Sequence, residues 1–219
     1  MSLSLLFKDE LQGFYKSKVM LILWIGLPAM TIILHLVRPG AEGIPLTALS
    51  ALLVSSIGGT LASVMLAVSI INEKEKHVYD LFLVRPIKRR DILISKFLAV
   101  YVCITIASLL ALICGLIIDF IWFEGVPKAV LTGTLESLGL RLSMMAISSS
   151  AGILIGVLAP SVLVGAILVI YGANQISIIP SLPTLTNMSH QLLFTVLLGA
   201  VLSIFILGLS VLLFNKKQF

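Results

Sequence analysis

Six apolar runs, each roughly twenty residues long and nearly free of charge, constrain this chain more than any other feature: residues 19–37, 47–71, 97–118, 138–159, 162–179 and 192–214. About 20 consecutive apolar residues cross a bilayer as a helix, because a helix satisfies its own backbone hydrogen bonds where no water is present. Hydrophobic residues make up 59% of the 219 and charged residues only 11%, against roughly 25% in a soluble domain. So much apolar surface exceeds what the chain can bury against itself, and lipid must be its solvent. The expected fold class is an all-α membrane protein with six transmembrane helices in a single domain over residues 1–219.

Lys and Arg placement sets the orientation. With both termini in the cytosol, twelve basic residues lie inside: Lys8, Lys16, Lys18, seven between positions 73 and 96, Lys216 and Lys217. Arg38 and Lys128 lie outside, and Arg141 falls within the fourth run. The expected location is the cell (plasma) membrane, multi-pass, with both termini cytosolic. The net charge of +5 follows from this bias and from anionic lipid, so no nucleic-acid partner is implied. The first run does not read as a signal peptide. Its leading segment is long and mixed in charge, and Arg38-Pro39 follows it without a small-residue cleavage site.

Within residues 1–18, Leu3, Leu6, Phe7, Leu11, Phe14 and Tyr15 recur at helical spacing, while Ser4, Lys8, Asp9, Gln12 and Lys16 take the other face. That pattern predicts an amphipathic helix lying in the membrane interface, an elbow before the first span. It serves either as a lipid-surface anchor alone or also as a contact for a cytosolic partner.

Lipid supplies no hydrophobic drive between spans, so small residues at four-residue spacing let helix backbones approach. Ser55, Gly59 and Ser63 form one such face, and Ala107, Ala111 and Gly115 another. Ser148, Gly152 and Gly156 form a third, with Gly199 and Ser203 in the last run. These faces pack within the bundle or across a dimer; the alternative is a hydroxyl-lined substrate path. In the fourth run Glu136, Arg141 and Ser148 are candidates for a translocation path or gate. Arg141 otherwise sits near the interface and snorkels, since a charge at a helix centre costs at least about 2.5 kcal/mol. Gly and Pro in residues 172–183 predict a broken or re-entrant segment before the last span. Cys103 and Cys114 share a helical face about 16 Å apart along the axis, too far to pair.

Several chemistries find no residues here. No phosphate-binding Gly-x-x-x-x-Gly-Lys-Ser/Thr loop occurs, and no zinc-spaced cysteines or His-Glu-x-x-His. His35, His77 and His190 are scattered and read as interfacial histidines rather than a metal or haem site. No catalytic residues and no metal site are predicted. Nearly absent intramembrane carboxylates argue against a proton relay, so energy for any transport must come from another subunit. A lipid-head-group transferase would need clustered interfacial carboxylates, which are also lacking.

Residues 73–96 form a charged island between two apolar runs. Glu73-Lys74-Glu75-Lys76 carries the second span into water. Val78, Leu81 and Phe82 then fall at i, i+3 and i+4, with Tyr79 and Leu83 as a second row. Arg85-Pro86 stops this short amphipathic helix, and Arg89-Arg90-Asp91 restarts a helix that Ile92 and Leu93 lead into the third span. From spacing alone, the stripe either lies on lipid beside an orientation-setting loop or receives a partner.

This arrangement resembles the permease subunits of ABC exporters of the type-2 permease family. Their first cytosolic loop typically reads Glu-x-Glu, a leucine-rich stripe, Pro, and a helix start with Arg, Ile-Leu and Lys. The matching residues are Glu73, Glu75, Tyr79 to Leu83, Pro86, Arg89 to Leu93 and Lys96. Lys88 departs from the family's usual Ser or Thr cap, and the first outer loop is too short for a large outer domain. The resemblance implies a coupling helix whose ATPase-coupling residues include Glu73, Glu75, Val78, Tyr79, Leu81, Phe82, Pro86, Arg89 and Asp91. It implies an elbow helix carried by Leu3, Phe7, Leu11 and Phe14. It also implies a separate ABC ATPase subunit that holds the ATP and Mg, no cofactor on this chain, and a second permease copy or paralogue completing the path. The competing expectation is a non-transporting assembly or sensory subunit that docks a cytosolic partner with the same loop.

Overall fold

The computed structural model describes residues 3–37, 46–76, 89–123, 128–182 and 191–216, and among the described residues every element is helical. In chain order these are α1 (Leu3–Tyr15), α2 (Lys18–Val37), α3 (Leu46–Glu75), α4 (Arg89–Phe123), α5 (Lys128–Leu158) and α6 (Val162–Leu168). A π-helical turn (Val169–Ala173), α7 (Asn174–Ser177), a 3-10 turn (Ile179–Ser181) and α8 (Gln191–Lys216) complete it. Among the described residues five helices are long and apolar enough to cross a membrane, or six if the bent pair α1–α2 counts as one span.

The first bend has a local cause. Ser17 caps α2, its hydroxyl accepting from the Met20 N–H at 3.2 Å, and α1 meets α2 at 67°. The Tyr15 ring meets Trp24 edge-on with centroids 5.3 Å apart. The amphipathic pattern of α1 is realised in its packing. Phe14 is buried, and Phe7 and Leu11 lie against the same core, while Lys8 and Asp9 are exposed. α1 and α2 both rest on α4.

The centre of the bundle is α5, 83% buried over its membrane window against 22% for α8. Its main partner is α3, and the small-residue faces of these two helices meet. A Cβ on Gly152 would stand 2.6 Å from the Ser63 carbonyl oxygen, and one on Gly156 would stand 3.0 Å from the Ala67 Cα. The Ser148 hydroxyl donates to the Gly59 carbonyl at 2.9 Å and reaches the Ser63 hydroxyl at 3.3 Å. Bundle packing therefore accounts for both faces. On the other side of α5, Gly199 of α8 meets Ser143 just as closely.

The turn at 159–161 is tight. Ser161 is extended (φ −145°, ψ 160°) and its hydroxyl accepts from the Val164 N–H to open α6. The Lys74 ammonium donates to the Ala159 carbonyl at 3.4 Å, tying this turn to the end of α3. Residues 162–181 run on as one continuous span, through the π turn, α7 and the 3-10 turn at Pro180, so the expected break is not found there; the stretch from 183 to 190 lies outside the described residues. Asn174 accepts from the Ser56 hydroxyl at 3.2 Å, which ties this segment to α3. Both cysteines are free.

Candidate functional site

Three charged side chains converge where α1, α3 and α4 meet. Lys96 lies two turns into α4, between Ser95 and the apolar run that follows, and is 2% exposed. A buried ammonium needs partners for its three donors. Its Nζ donates to Glu73 Oε1 of α3 at 2.6 Å and to Glu10 Oε1 of α1 at 2.8 Å. The Ser69 hydroxyl lies 3.4 Å away and itself donates to Glu73 at 3.2 Å. The Phe14 ring is 5.8 Å from Nζ and closes the apolar side. Three helices from separate parts of the chain thus share one cation.

The two carboxylates are only partly withdrawn from water, at 23% and 25% side-chain exposure. Burial pushes the Glu10 carboxyl above its ordinary value, outweighing the pull of Lys96, and Glu73 and Asp9 add to the rise. Beside the cluster is a groove of about 520 Å³ lined by α1, the Ser17 turn, α2, α3 and Lys96. A smaller one, about 300 Å³, lies between α4, α5 and α8 beside the stacked rings of Phe97 and Tyr101, 5.6 Å apart.

Of the residues expected to couple to an ATPase, Glu73 sits in this cluster and Glu75 ends α3, exposed. Arg89 opens α4, and Asp91 stands in its first turn, paired with Arg90 at 3.3 Å; an acid there suits the helix dipole. Val78, Tyr79, Leu81, Phe82 and Pro86 lie outside the described residues. Of the elbow residues, Phe7, Leu11 and Phe14 face the core, and Leu3 opens α1.

Of the candidate path residues, Glu136 is exposed and Ser148 lies in the α3–α5 seam. Arg141 is 3% exposed, enclosed by the bundle rather than extended to its edge as snorkelling requires. It shares the buried face of α5 with Ser137 and Ser148, four and seven positions away. Among the described residues no group of His, Cys, Asp and Glu can hold a metal.

The spacing had placed neither Lys96 nor Glu10 in a site. The signal was present: Glu10 falls three residues after Phe7 and four before Phe14, on the apolar stripe of α1. No protein-family model and no curated protein matches the sequence.

Proposed function

We infer that the chain is the membrane-spanning permease subunit of an ATP-driven ABC exporter, working as a dimer on separate ATPase subunits. The observation that carries this reading is the Lys96 cluster. Residues 77–88 join α3 to α4, and the two helix ends flanking them are held by one ion pair, Glu73 to Lys96. The same ammonium holds the elbow helix through Glu10. A segment mounted this way passes force from a cytosolic partner directly to α3 and α4, and to α1 through the shared ammonium, which is what a coupling helix requires. Its sequence, Val78-Tyr79-Asp80-Leu81-Phe82-Leu83, offers an apolar stripe suited to an ATPase surface cleft. In this reading the protein lies in the plasma membrane with both termini cytosolic, and this chain neither binds nor hydrolyses ATP.

The test is co-purification of the full chain with an ATPase encoded beside it, with ATP turnover measured in vesicles. Leu81→Asp with Phe82→Asp should abolish both the association and the stimulated turnover. Retention of both sinks the coupling assignment. Association without stimulated turnover in the native chain, or without substrate movement once a substrate is found, favours a non-transporting docking subunit instead.

A further inference from the structure

The groove beside Lys96 has a composition that changes along its length. It follows α3 from Leu61 to Glu73, a rise of about 18 Å. The hydrocarbon half-thickness of a bilayer is about 15 Å. The Leu61 end is walled by Leu61, Val64, Met65 and Val68. The other end carries Glu10, Ser17, Ser69, Asn72, Glu73 and Lys96. An apolar channel of leaflet depth, capped at one end by polar groups, matches a single membrane amphiphile lying along α3.

The charge at the polar end narrows the headgroup. Glu10 and Glu73 face one ammonium, Lys96, so the lining holds one excess negative charge. Lys96 engages one oxygen of each carboxylate. Each carboxylate keeps about a quarter of its side chain accessible, which leaves acceptor capacity facing the groove. A phosphate-only headgroup would meet these carboxylates as a like charge. A quaternary ammonium would satisfy the charge but has no N–H to donate. A primary ammonium supplies both the charge and three donors.

We propose that this groove is a binding site for a zwitterionic phospholipid with a primary-amine headgroup. The amine sits at Glu10 and Glu73, and one acyl chain lies along Leu61 to Val68. The bound lipid fills the angle between α1 and α3 and so supports the elbow helix from the membrane side. This inference needs only the membrane fold, and holds whether or not the chain is a transporter subunit.

The experiment uses the full chain in vesicles of phosphatidylcholine containing a minor fraction of phosphatidylethanolamine with a photoreactive group in its acyl chain. Matched vesicles carry the same label on phosphatidylcholine or phosphatidylglycerol, and labelled peptides are mapped by mass spectrometry. The ethanolamine lipid should label residues of α1 and α3 about tenfold more than the choline lipid, the difference that one charge-assisted contact makes. Glu73→Gln should remove that preference. Gly13 lines the groove and has open space where a side chain would go, so Gly13→Leu should displace every lipid while leaving the ion pairs in place. Equal labelling by all three lipids overturns the proposal, as does preference for phosphatidylglycerol or labelling that Gly13→Leu leaves unchanged. A groove closed by a second copy of the chain also overturns it. That outcome appears as loss of α1–α3 labelling together with a cross-link between chains through Gly13→Cys.

Discussion

Replacing Lys96 by Met keeps the length and apolar stem of the side chain and removes only its charge. Glu10 and Glu73, each within 2.8 Å of the ammonium, would then face each other without a cation. Removing one partner of a buried pair typically costs about 3–5 kcal/mol. Here the pair has an escape, because Glu10 is partly exposed and its carboxyl, already pushed up by burial, can take up a proton. Holding a carboxyl of ordinary pKa neutral at pH 7 costs about 3.7 kcal/mol, at about 1.4 kcal/mol per unit. That sets the ceiling, and solvent screening at one-quarter exposure lowers it, to about 3 kcal/mol. The loss should fall on the docking of α1, the only one of the three helices that the cluster and a short apolar stripe alone hold to the bundle. Amide exchange in α1 should accelerate about 100-fold, the factor that about 3 kcal/mol represents. Exchange in the α3–α5 seam should stay unchanged. Adding Glu10→Gln and Glu73→Gln to Lys96→Met should recover most of the loss, because a charge cluster replaced as a whole is close to neutral, within about 1 kcal/mol. If Lys96→Met leaves α1 exchange at the wild-type rate, or the triple variant is no better than the single, the ion pairs do not hold α1.

Gly152→Ala should lower the unfolding free energy by about 1–3 kcal/mol, since its new methyl collides with the Ser63 backbone. Gly26→Ala in α2 meets nothing and should be neutral or stabilising by up to about 1 kcal/mol; equilibrium unfolding of both in mild detergent reads the contrast. Ser148→Ala loses its bond to the Gly59 carbonyl and should cost only about 0.6 kcal/mol, measured the same way, with a larger loss pointing to a role beyond packing. The raised Glu10 carboxyl makes α1 docking pH-dependent. Facing Lys96, Glu73 and Asp9, it holds its proton in the folded state at pH values where the unfolded chain has released it, so its stabilisation is full below the ordinary value of 4.5 and is lost as pH rises through the folded value. Exchange in α1 should slow as pH falls from neutral toward that value, after correction for intrinsic rates, and Glu10→Gln should flatten the dependence.

Five of the long apolar helices were legible because their signal is length, which needs no partner: a run such as 192–214 declares itself a candidate span wherever it packs, whereas the first run qualifies only together with α1. The small-residue faces were legible as faces but not as pairs. Ser55-Gly59-Ser63 and Ser148-Gly152-Gly156 each invite a close neighbour, and nothing in either run names the other. Arg141 illustrates the converse. Its position near the end of an apolar run suggested an escape toward water, yet it lies on the same buried stripe as Ser137 and Ser148. The Lys96 cluster joins positions 10, 73 and 96, and no periodicity within one helix links them. Two of the three were still accessible to reasoning by depth. Glu73 ends one span and Lys96 begins the next, so an antiparallel pair places both at one level, where a charge seeks an opposite one.

The two joints of the bundle differ in kind, and that difference bears on how a push would travel. The α3–α5 seam is held by backbone approach and a serine hydroxyl, interactions that fall away steeply with sub-ångström separation, so the two helices move as one body. The α1–α3–α4 joint is held by an ammonium between partly exposed carboxylates. Its bonds can exchange one oxygen for another, or a carboxylate for water, without opening a cavity. Force applied to residues 77–88 therefore reaches α5 through a stiff connection and α1 through a compliant one. A partner pulling there should move α3 and α5 together and let α1 pivot about Lys96. Distance measurements between spin labels on α1 and α5, with and without the partner and ATP, would show this. A fixed α1–α5 distance in a complex whose ATP turnover is stimulated would mean that the cluster is a rigid clamp rather than a pivot.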